Sequence, residues 1–168
     1  MTQTERKRIF EELFQRHKAP LERLCFAYLN SAGEVEDLFQ EIMSNVWNAL
    51  PKFRGEAQAG TWLYRIAVNT ALLHRRKWRP SEALPEMVDP AAGAHQTMED
   101  RERLAALHRA IAVLPDQERL VITLLLEGLS YKEIAEVTGL TVNHVGVKIS
   151  RIKQAIEQRL TEECHGRI

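Results

Sequence analysis

The sequence GEVEDLFQEIMSNVWNAL, residues 33–50, decides how the first half of this chain folds. Its apolar residues recur every three or four positions, which predicts a helix with one apolar face. They are Val35, Leu38, Ile42, Val46 and Leu50. Three polar residues, Asp37, Gln40 and Glu41, stand at positions i, i+3 and i+4, so their side chains converge on another face of the helix. We therefore expect a helix that packs on one side and presents an acidic surface on the other.

A second helix is predicted in residues 61–80, TWLYRIAVNTALLHRRKWRP, after the loop PKFRGEAQAG. This stretch contains five cations and no acidic residue. One of its helical stripes is polar and aromatic, and consists of Trp62, Arg65, Asn69 and Arg76. Cations bind phosphates and aromatic rings stack on unpaired bases, so this stripe indicates nucleic-acid binding. The alternative is that Trp62 and Tyr64 are core aromatics and the arginines only keep the surface soluble.

Composition limits the class of protein. The chain has 168 residues, with 23 basic and 23 acidic side chains and no net charge. No apolar run approaches the roughly 20 residues that span a bilayer, and the charged N-terminus does not resemble a signal peptide. Cys25 and Cys164 are too few for a disulfide framework or a zinc site. These features predict a cytoplasmic protein with no membrane insertion, no metal and no other cofactor.

No segment alternates as a strand would, so the predicted fold class is all-α, with two small helical domains joined by a flexible linker. The N-terminal domain is predicted over 1–80, with two helices meeting near Pro20 and with Thr61 as a helix cap. Prolines interrupt any period in the linker, 81–103. The C-terminal domain covers 104–163, and the tail is 164–168, where Cys164 and His165 are too few ligands for a metal site.

Residues 130–151, SYKEIAEVTGLTVNHVGVKISR, have the pattern of a helix-turn-helix. Ser130 and Glu133 form a capping box, and Gly139 supplies the turn. The last helix has apolar positions at Val142, Val145, Ile149, Ile152 and Ile156. Off that stripe lie the candidates for reading a major groove: Asn143, His144, Lys148, Ser150 and Arg151. A plain helical hairpin with a solvated basic face is the alternative, and Gly146 and Val147 weaken the DNA-binding prediction slightly.

Two stretches of the chain resemble conserved regions of a known family. EDLFQEIMSNVWNALPKFRG and TWLYRIAVNTALLHRRKWR resemble the second conserved region of bacterial sigma factors of the extracytoplasmic-function group. AIAVLPDQERLVITLLLEGLSYKEIAEVTGLTVNHVGVKISRIKQAI resembles their fourth region. The resemblance implies a sigma factor that binds core RNA polymerase and directs it to promoters. It also implies an anti-sigma factor as a partner, and it implies no enzymatic activity.

The resemblance nominates site residues. Those implied to bind the largest polymerase subunit are Asp37, Gln40 and Glu41. Those implied to bind the −10 element, with 53–61 as a loop that captures a base, are Phe53, Arg54, Trp62, Arg65, Asn69, Arg75 and Arg76. Those implied to bind the −35 element, in a unit that also contacts the second-largest subunit, are Asn143, His144, Lys148, Ser150 and Arg151. Here His144 stands where the family usually has threonine and Lys148 where it has arginine, and lysine lacks the bidentate fork of arginine.

Three other classes compete with this interpretation. The strongest is a helix-turn-helix regulator that binds duplex DNA without being a polymerase subunit, although residues 1–80 show no strands for a sensor domain. An enzyme is disfavoured, because the six histidines form no helical ligand pair and no phosphate loop or nucleophile motif is present. A protein-bridging scaffold would explain the acidic helix but would leave two basic faces without a role.

Overall fold

The computed structural model describes residues 1–29, 32–55, 58–77 and 97–166. Within these ranges the backbone forms seven α-helices and a short 3-10 turn, Leu50–Lys52, and no strand. The helices are α1 (Gln3–Tyr28), α2 (Ala32–Ala49), α3 (Ala59–Lys77), α4 (Met98–Ala112), α5 (Asp116–Leu126), α6 (Tyr131–Thr138) and α7 (Val142–His165). Most of the predicted linker lies outside the described residues, and α4 begins within its last part.

The N-terminal half is built from α1, α2 and α3, which pack against one another. Every apolar residue predicted for the core face of α2 and the turn after it is buried. Leu21 and Leu24 of α1 and Leu63 and Val68 of α3 complete this core, each with an exposure of 2% or less. The predicted amphipathic helix is therefore confirmed, and its buried face fixes how α1 and α3 approach it.

The prediction that two helices meet near Pro20 is wrong. α1 runs unbroken from Gln3 to Tyr28 with Pro20 inside it. Proline removes one intrahelical hydrogen bond, at a cost of roughly 3 kcal/mol. The helix continues because Leu13, before the proline, and Leu21 and Leu24, after it, are all buried on the same side. Packing on both sides of Pro20 outweighs the local preference of the backbone.

The predicted cap of α3 at Thr61 is also wrong. α3 begins at Ala59, and the amide of Trp62 donates to the carbonyl of Gln58 over 3.0 Å. Thr61 therefore lies inside the first turn, and it is buried. The loop before α3 is shorter than predicted, and residues 56–57 of that loop lie outside the described residues.

The C-terminal half contains α4 to α7, and its helix ends follow the sequence signals closely. Ser130 and Glu133 form the predicted capping box of α6, and Gly139 ends that helix with a φ of 76°. Such a left-handed backbone favours glycine. The hydroxyl of Thr141 accepts from the amide of His144 and so caps α7. These caps set the turn between α6 and α7.

The core face of α7 is confirmed at four positions and wrong at one. Val145, Ile149, Ile152 and Ile156 are buried, but Val142 is half exposed. Val142 is the first residue of the helix, directly after the cap. The burial of α7 begins at Val145, its fourth residue, so the apolar repeat in the sequence starts one step before the packed face.

The two halves contact each other. α1 packs against α5, and α3 packs against α6. The guanidinium of Arg23 in α1 donates from Nε and Nη2 to the two carboxylate oxygens of Glu127, which follows α5, over 2.6 and 2.7 Å. Glu127 is almost fully buried at this contact. Among the helices of the described ranges, none is long and apolar enough to cross a membrane.

Candidate nucleic-acid interface

The acidic face of α2 is divided between solvent and a neighbouring helix. Asp37 and Gln40 are exposed, as expected for a surface that binds a partner. Glu41 is partly buried, and its Oε2 lies 2.9 Å from Nδ1 of His74 in α3. The three residues therefore share a face, but Glu41 also makes a contact inside the domain.

Polar side chains tie α2 to α3 at two places. His74 is buried, and it bonds to Glu41. One turn closer to the start of α3, Nδ2 of Asn45 donates to the hydroxyl of Thr70 over 3.0 Å, and that hydroxyl donates to the carbonyl of Ile66 over 2.7 Å. Sequence reasoning missed His74. Its signal was its position four residues after Thr70, on the same buried face of α3.

The predicted −10 residues of α3 and the loop before it differ in exposure. Arg54, Arg65 and Asn69 are exposed. Trp62 is partly buried and packs on Phe53, with ring centroids 4.7 Å apart and planes at 41°. The backbones of residues 75 and 76 belong to α3, but the side chains of Arg75 and Arg76 lie outside the described part of the chain. The described members form an aromatic pair beside a cationic and amide-bearing stripe.

The core-aromatic alternative holds for Tyr64. Its side chain is buried, and its ring lies edge-on to that of His17, with centroids 6.1 Å apart. Burial, and then the negative charge of Glu127, raise the pKa of Tyr64 to about 12, although Arg23 opposes this shift. Tyr64 is therefore a packing residue beside the contact between the halves. Trp62, by contrast, is only partly buried.

Arg65 makes a contact that its position in α3 did not predict. Its Nε donates to the backbone carbonyl of Glu136 in α6 over 3.1 Å. Glu136 lies in the last turn of α6, where carbonyls lack intrahelical partners and the helix dipole favours a cation. A candidate DNA-binding arginine of one half thus bonds to the helix-turn-helix of the other half.

The helix-turn-helix consists of α6, the turn at Gly139, and α7. Asn143, His144, Ser150 and Arg151 are exposed on α7, and Lys148 is partly exposed. All five stand off the buried stripe, as predicted from their spacing. Val147 is also exposed on this surface, and sequence reasoning did not count it among the candidate residues. The sequence did contain an indication of its exposure, because Val147 is an apolar residue that does not belong to the apolar stripe of α7.

The C-terminal half also has an open apolar groove of about 540 Å³ between α4, α5 and α7. Leu107, Ile111, Leu125, Ile156 and Leu160 line its floor and walls. Leu126, which is largely exposed, stands at its edge. In the described ranges, no group of three or more His, Cys, Asp or Glu side chains is placed to hold a metal ion.

Comparisons with known proteins agree with this geometry. The family model described as Sigma-70 region 2 matches residues 13–79, and the model described as Sigma-70, region 4 matches residues 104–156. The RNA polymerase sigma-H factor of Pseudomonas aeruginosa is 35% identical, over 92% of this chain and 87% of its own length. The ECF RNA polymerase sigma-E factor of Escherichia coli K12 is 34% identical over the same shares. The chain belongs to the ECF group of RNA polymerase sigma factors.

Solved structures share the fold. The structure of CnrH in complex with the cytosolic domain of CnrY has a TM-score of 0.70 and 25% identity, and the match covers 93% of this chain and 90% of that one. The sigma factor RpoE, in complex with the anti-sigma factor NepR from Bartonella quintana, has a TM-score of 0.74 at 20% identity, with coverages of 92% and 98%. The predicted all-α sigma fold is confirmed.

Membership in the sigma-factor family also decides between the classes weighed from the sequence. Sigma factors are transcription initiation factors and not enzymes, so the family assignment confirms the prediction that this chain is not an enzyme. The regulator and scaffold alternatives lose their support, since both family models match the chain and do so in the order of a sigma factor.

Proposed function

We propose that this sigma factor binds core RNA polymerase through α2 and recognises promoters through α3 and α7. Residues 1–80 act as region 2, 81–103 as the linker, 104–163 as region 4, and 164–168 as a tail. The observation that carries the proposal is the presence of both sigma regions in one chain. Since polymerase and promoter DNA occupy the bacterial cytoplasm, that is where we place it.

The polymerase contact is assigned to Asp37, Gln40 and Glu41. The exposure of Asp37 and Gln40 supports this assignment, because a carboxylate and an amide are available to a basic partner surface. The apolar groove of region 4 supports a second contact, with an apolar segment of the second-largest subunit. Covering a groove lined by leucine and isoleucine with apolar surface contributes a favourable binding free energy of about 25 cal/mol per Å² buried.

The −10 element is assigned to α3 and the loop before it, through Phe53, Arg54, Trp62, Arg65, Asn69, Arg75 and Arg76. The aromatic pair supports stacking on an unpaired base, worth roughly 1–3 kcal/mol per base. Arg54 and Arg65 are exposed and suited to phosphates, and Asn69 carries an amide for a base edge. A base extruded from the duplex costs a few kcal/mol, which such contacts can offset.

The −35 element is assigned to α7, through Asn143, His144, Lys148, Ser150 and Arg151. In a helix-turn-helix the second helix enters the major groove. Asn143 can pair with adenine, and Arg151 can pair with guanine or with phosphate. An anti-sigma factor is a further partner, and both solved neighbours support it, because each was solved as a complex, one of them with an anti-sigma factor.

Run-off transcription with purified core polymerase tests the proposal. We expect promoter-specific transcripts only when this chain is added. Asp37→Ala should weaken core binding about tenfold, as expected for loss of one charge-assisted contact. Glu11→Ala, which removes an exposed carboxylate from α1, is the matched control and should leave core binding unchanged. Tight binding to duplex promoter without polymerase, and no transcript with it, would instead indicate a separate DNA-binding regulator.

A further inference from the structure

Val147 lies within the exposed surface of the first part of α7. Its exposure is 49%, whereas Val145 and Ile149 on either side are buried. Residues four apart lie on one ridge of a helix, so Asn143, Val147 and Arg151 form a continuous line. An apolar side chain thus stands between two of the polar side chains assigned to DNA.

The two flanks of this ridge differ. On one flank His144 and Lys148 carry polar or charged side chains. On the other flank stands Gly146, and a Cβ atom built there would lie 3.7 Å from Cε2 of Tyr131 in α6. Because Gly146 has no side chain and Ser150, the exposed residue on the same flank, has only a short one, that flank of α7 is low beside Val147. The ridge can therefore approach a groove floor closely enough for the valine methyl groups to touch base edges.

The chemistry of the major groove restricts what a valine can contact there. Base edges present hydrogen-bond donors and acceptors, and the one apolar group among them is the C5 methyl of thymine. A valine over any other edge would cover polar groups without bonding to them, which is unfavourable. We propose that Val147 is a specificity-determining residue that contacts the C5 methyl of a thymine in the −35 element, an inference that rests on the proposed function of α7.

The helix geometry also places this thymine. Four residues of helix rise about 6 Å, and base pairs are stacked about 3.4 Å apart. The thymine contacted by Val147 therefore lies within two base pairs of the base that Asn143 reads. Arg151 reaches a position at most two base pairs further, on the opposite side of that thymine.

The test uses polymerase holoenzyme reconstituted with the full chain and a promoter identified by run-off transcription. Each thymine of the −35 element is replaced in turn by uracil, which keeps the pairing and the groove acceptors but lacks the methyl group. With the unmodified protein, one replacement should weaken promoter binding about fourfold, the value of burying one methyl-sized group. With Val147→Ala, the same promoter with thymine and with uracil should bind equally well.

Val113→Ala provides the matched control, since Val113 is 45% exposed and lies between α4 and α5, away from α7. This variant should keep the fourfold preference for thymine. Val147→Ala should fold, because alanine is the better helix former at an exposed position, and its circular dichroism melting curve checks this. The thymine-to-uracil comparison with the unmodified protein needs no variant at all.

Each result is decisive. If scrambling the whole −35 element has no effect on binding, the proposed function of α7 fails, and this inference fails with it. If scrambling weakens binding but no single uracil does, the inference alone is overturned and the function of α7 stands. A thymine preference that survives in Val147→Ala overturns it as well, because another group must then contact the methyl.

Discussion

Two titratable side chains of the N-terminal half are buried and held in their neutral forms. Burial, with a smaller effect from the negative charge of Glu22, raises the pKa of the Cys25 thiol to about 12. The pKa of Tyr64 is raised to about 12 as well, mainly by burial. The thiolate is the reactive form of cysteine, so Cys25 is protected at neutral pH, whereas Cys164 is exposed at the end of α7.

These shifts predict the response of stability to alkaline pH. The unfolded chain loses the two protons near the ordinary pKa values of 9.0 and 10.0, whereas the folded protein keeps them to about 12. The free energy of unfolding is therefore expected to be fully retained below pH 9 and to fall as pH rises towards 12. Tyr64→Phe, which keeps the ring but not the ionisable hydroxyl, should make this fall shallower. Denaturant titrations at pH 8 to 11 measure it, and an unchanged slope in Tyr64→Phe would contradict the assignment to Tyr64.

At the scale of the element, the sequence predicted which face of a helix is buried better than it predicted which side chains meet between helices. The apolar residues of α2 are buried at every predicted position. They could be predicted because their spacing depends only on the period of a single helix that packs on one side. The predictions made from Pro20 and Thr61 were wrong. Packing keeps α1 helical through Pro20, and α3 begins before Thr61. The contact between Glu41 and His74 could not be predicted. It joins two helices across 33 residues, and the period of either helix says nothing about which side chain it meets.

The same contact raises the question of what Glu41 does. Its bond to His74 makes it part of the α2–α3 packing, and its place beside Asp37 makes it part of the acidic face. Substitution at His74 affects the first role directly. Substitution of Glu41 by its amide separates the two, because the amide oxygen still accepts a hydrogen bond while the charge is lost.

We expect His74→Ala to lower the free energy of unfolding by about 2–4 kcal/mol, because it empties a buried site and leaves the α2–α3 contact unmade. Glu41→Gln should change stability by less than about 1 kcal/mol but weaken binding to core polymerase. Thermal unfolding and a core-binding titration measure the two effects. Strong destabilisation by Glu41→Gln, with normal polymerase binding by the folded fraction, would assign Glu41 to the fold alone.

At the scale of the whole molecule, the contact between the halves conflicts with simultaneous binding of both promoter elements. The −10 and −35 elements are named for positions about 25 base pairs apart, or roughly 85 Å of B-form DNA at 3.4 Å per base pair. In this structure α3 and α6 touch, and Arg65 is bonded to Glu136. The closed arrangement must therefore open before both elements are bound. The sequence could not predict the closed arrangement, because contacts such as that between Arg23 and Glu127 join residues 104 positions apart.

The Arg23–Glu127 pair joins the two halves in this closed arrangement. Glu127 is almost fully buried there, so loss of Arg23 leaves a buried charge without its partner, and breaking such a pair is strongly destabilising. Separation of the halves would relieve this cost, because it returns the carboxylate to water. We therefore expect Arg23→Glu to open the molecule and the double exchange Arg23→Glu/Glu127→Arg to restore the closed form. Arg109→Glu, which breaks the pair with Glu163 inside the C-terminal half, is the matched control.

Small-angle X-ray scattering distinguishes the two forms, because a compact chain of this length has a radius of gyration of about 15 Å. The native protein and the Arg109→Glu control should lie near that value, and Arg23→Glu should exceed it by several Å while keeping its helical circular dichroism. Because the two DNA-binding units must separate before both promoter elements are bound, the opened variant should also form the complex of core polymerase and promoter faster. A native radius already as large as that of Arg23→Glu would mean that the pair does not hold the halves together in solution, and opening could then not limit the rate of holoenzyme assembly.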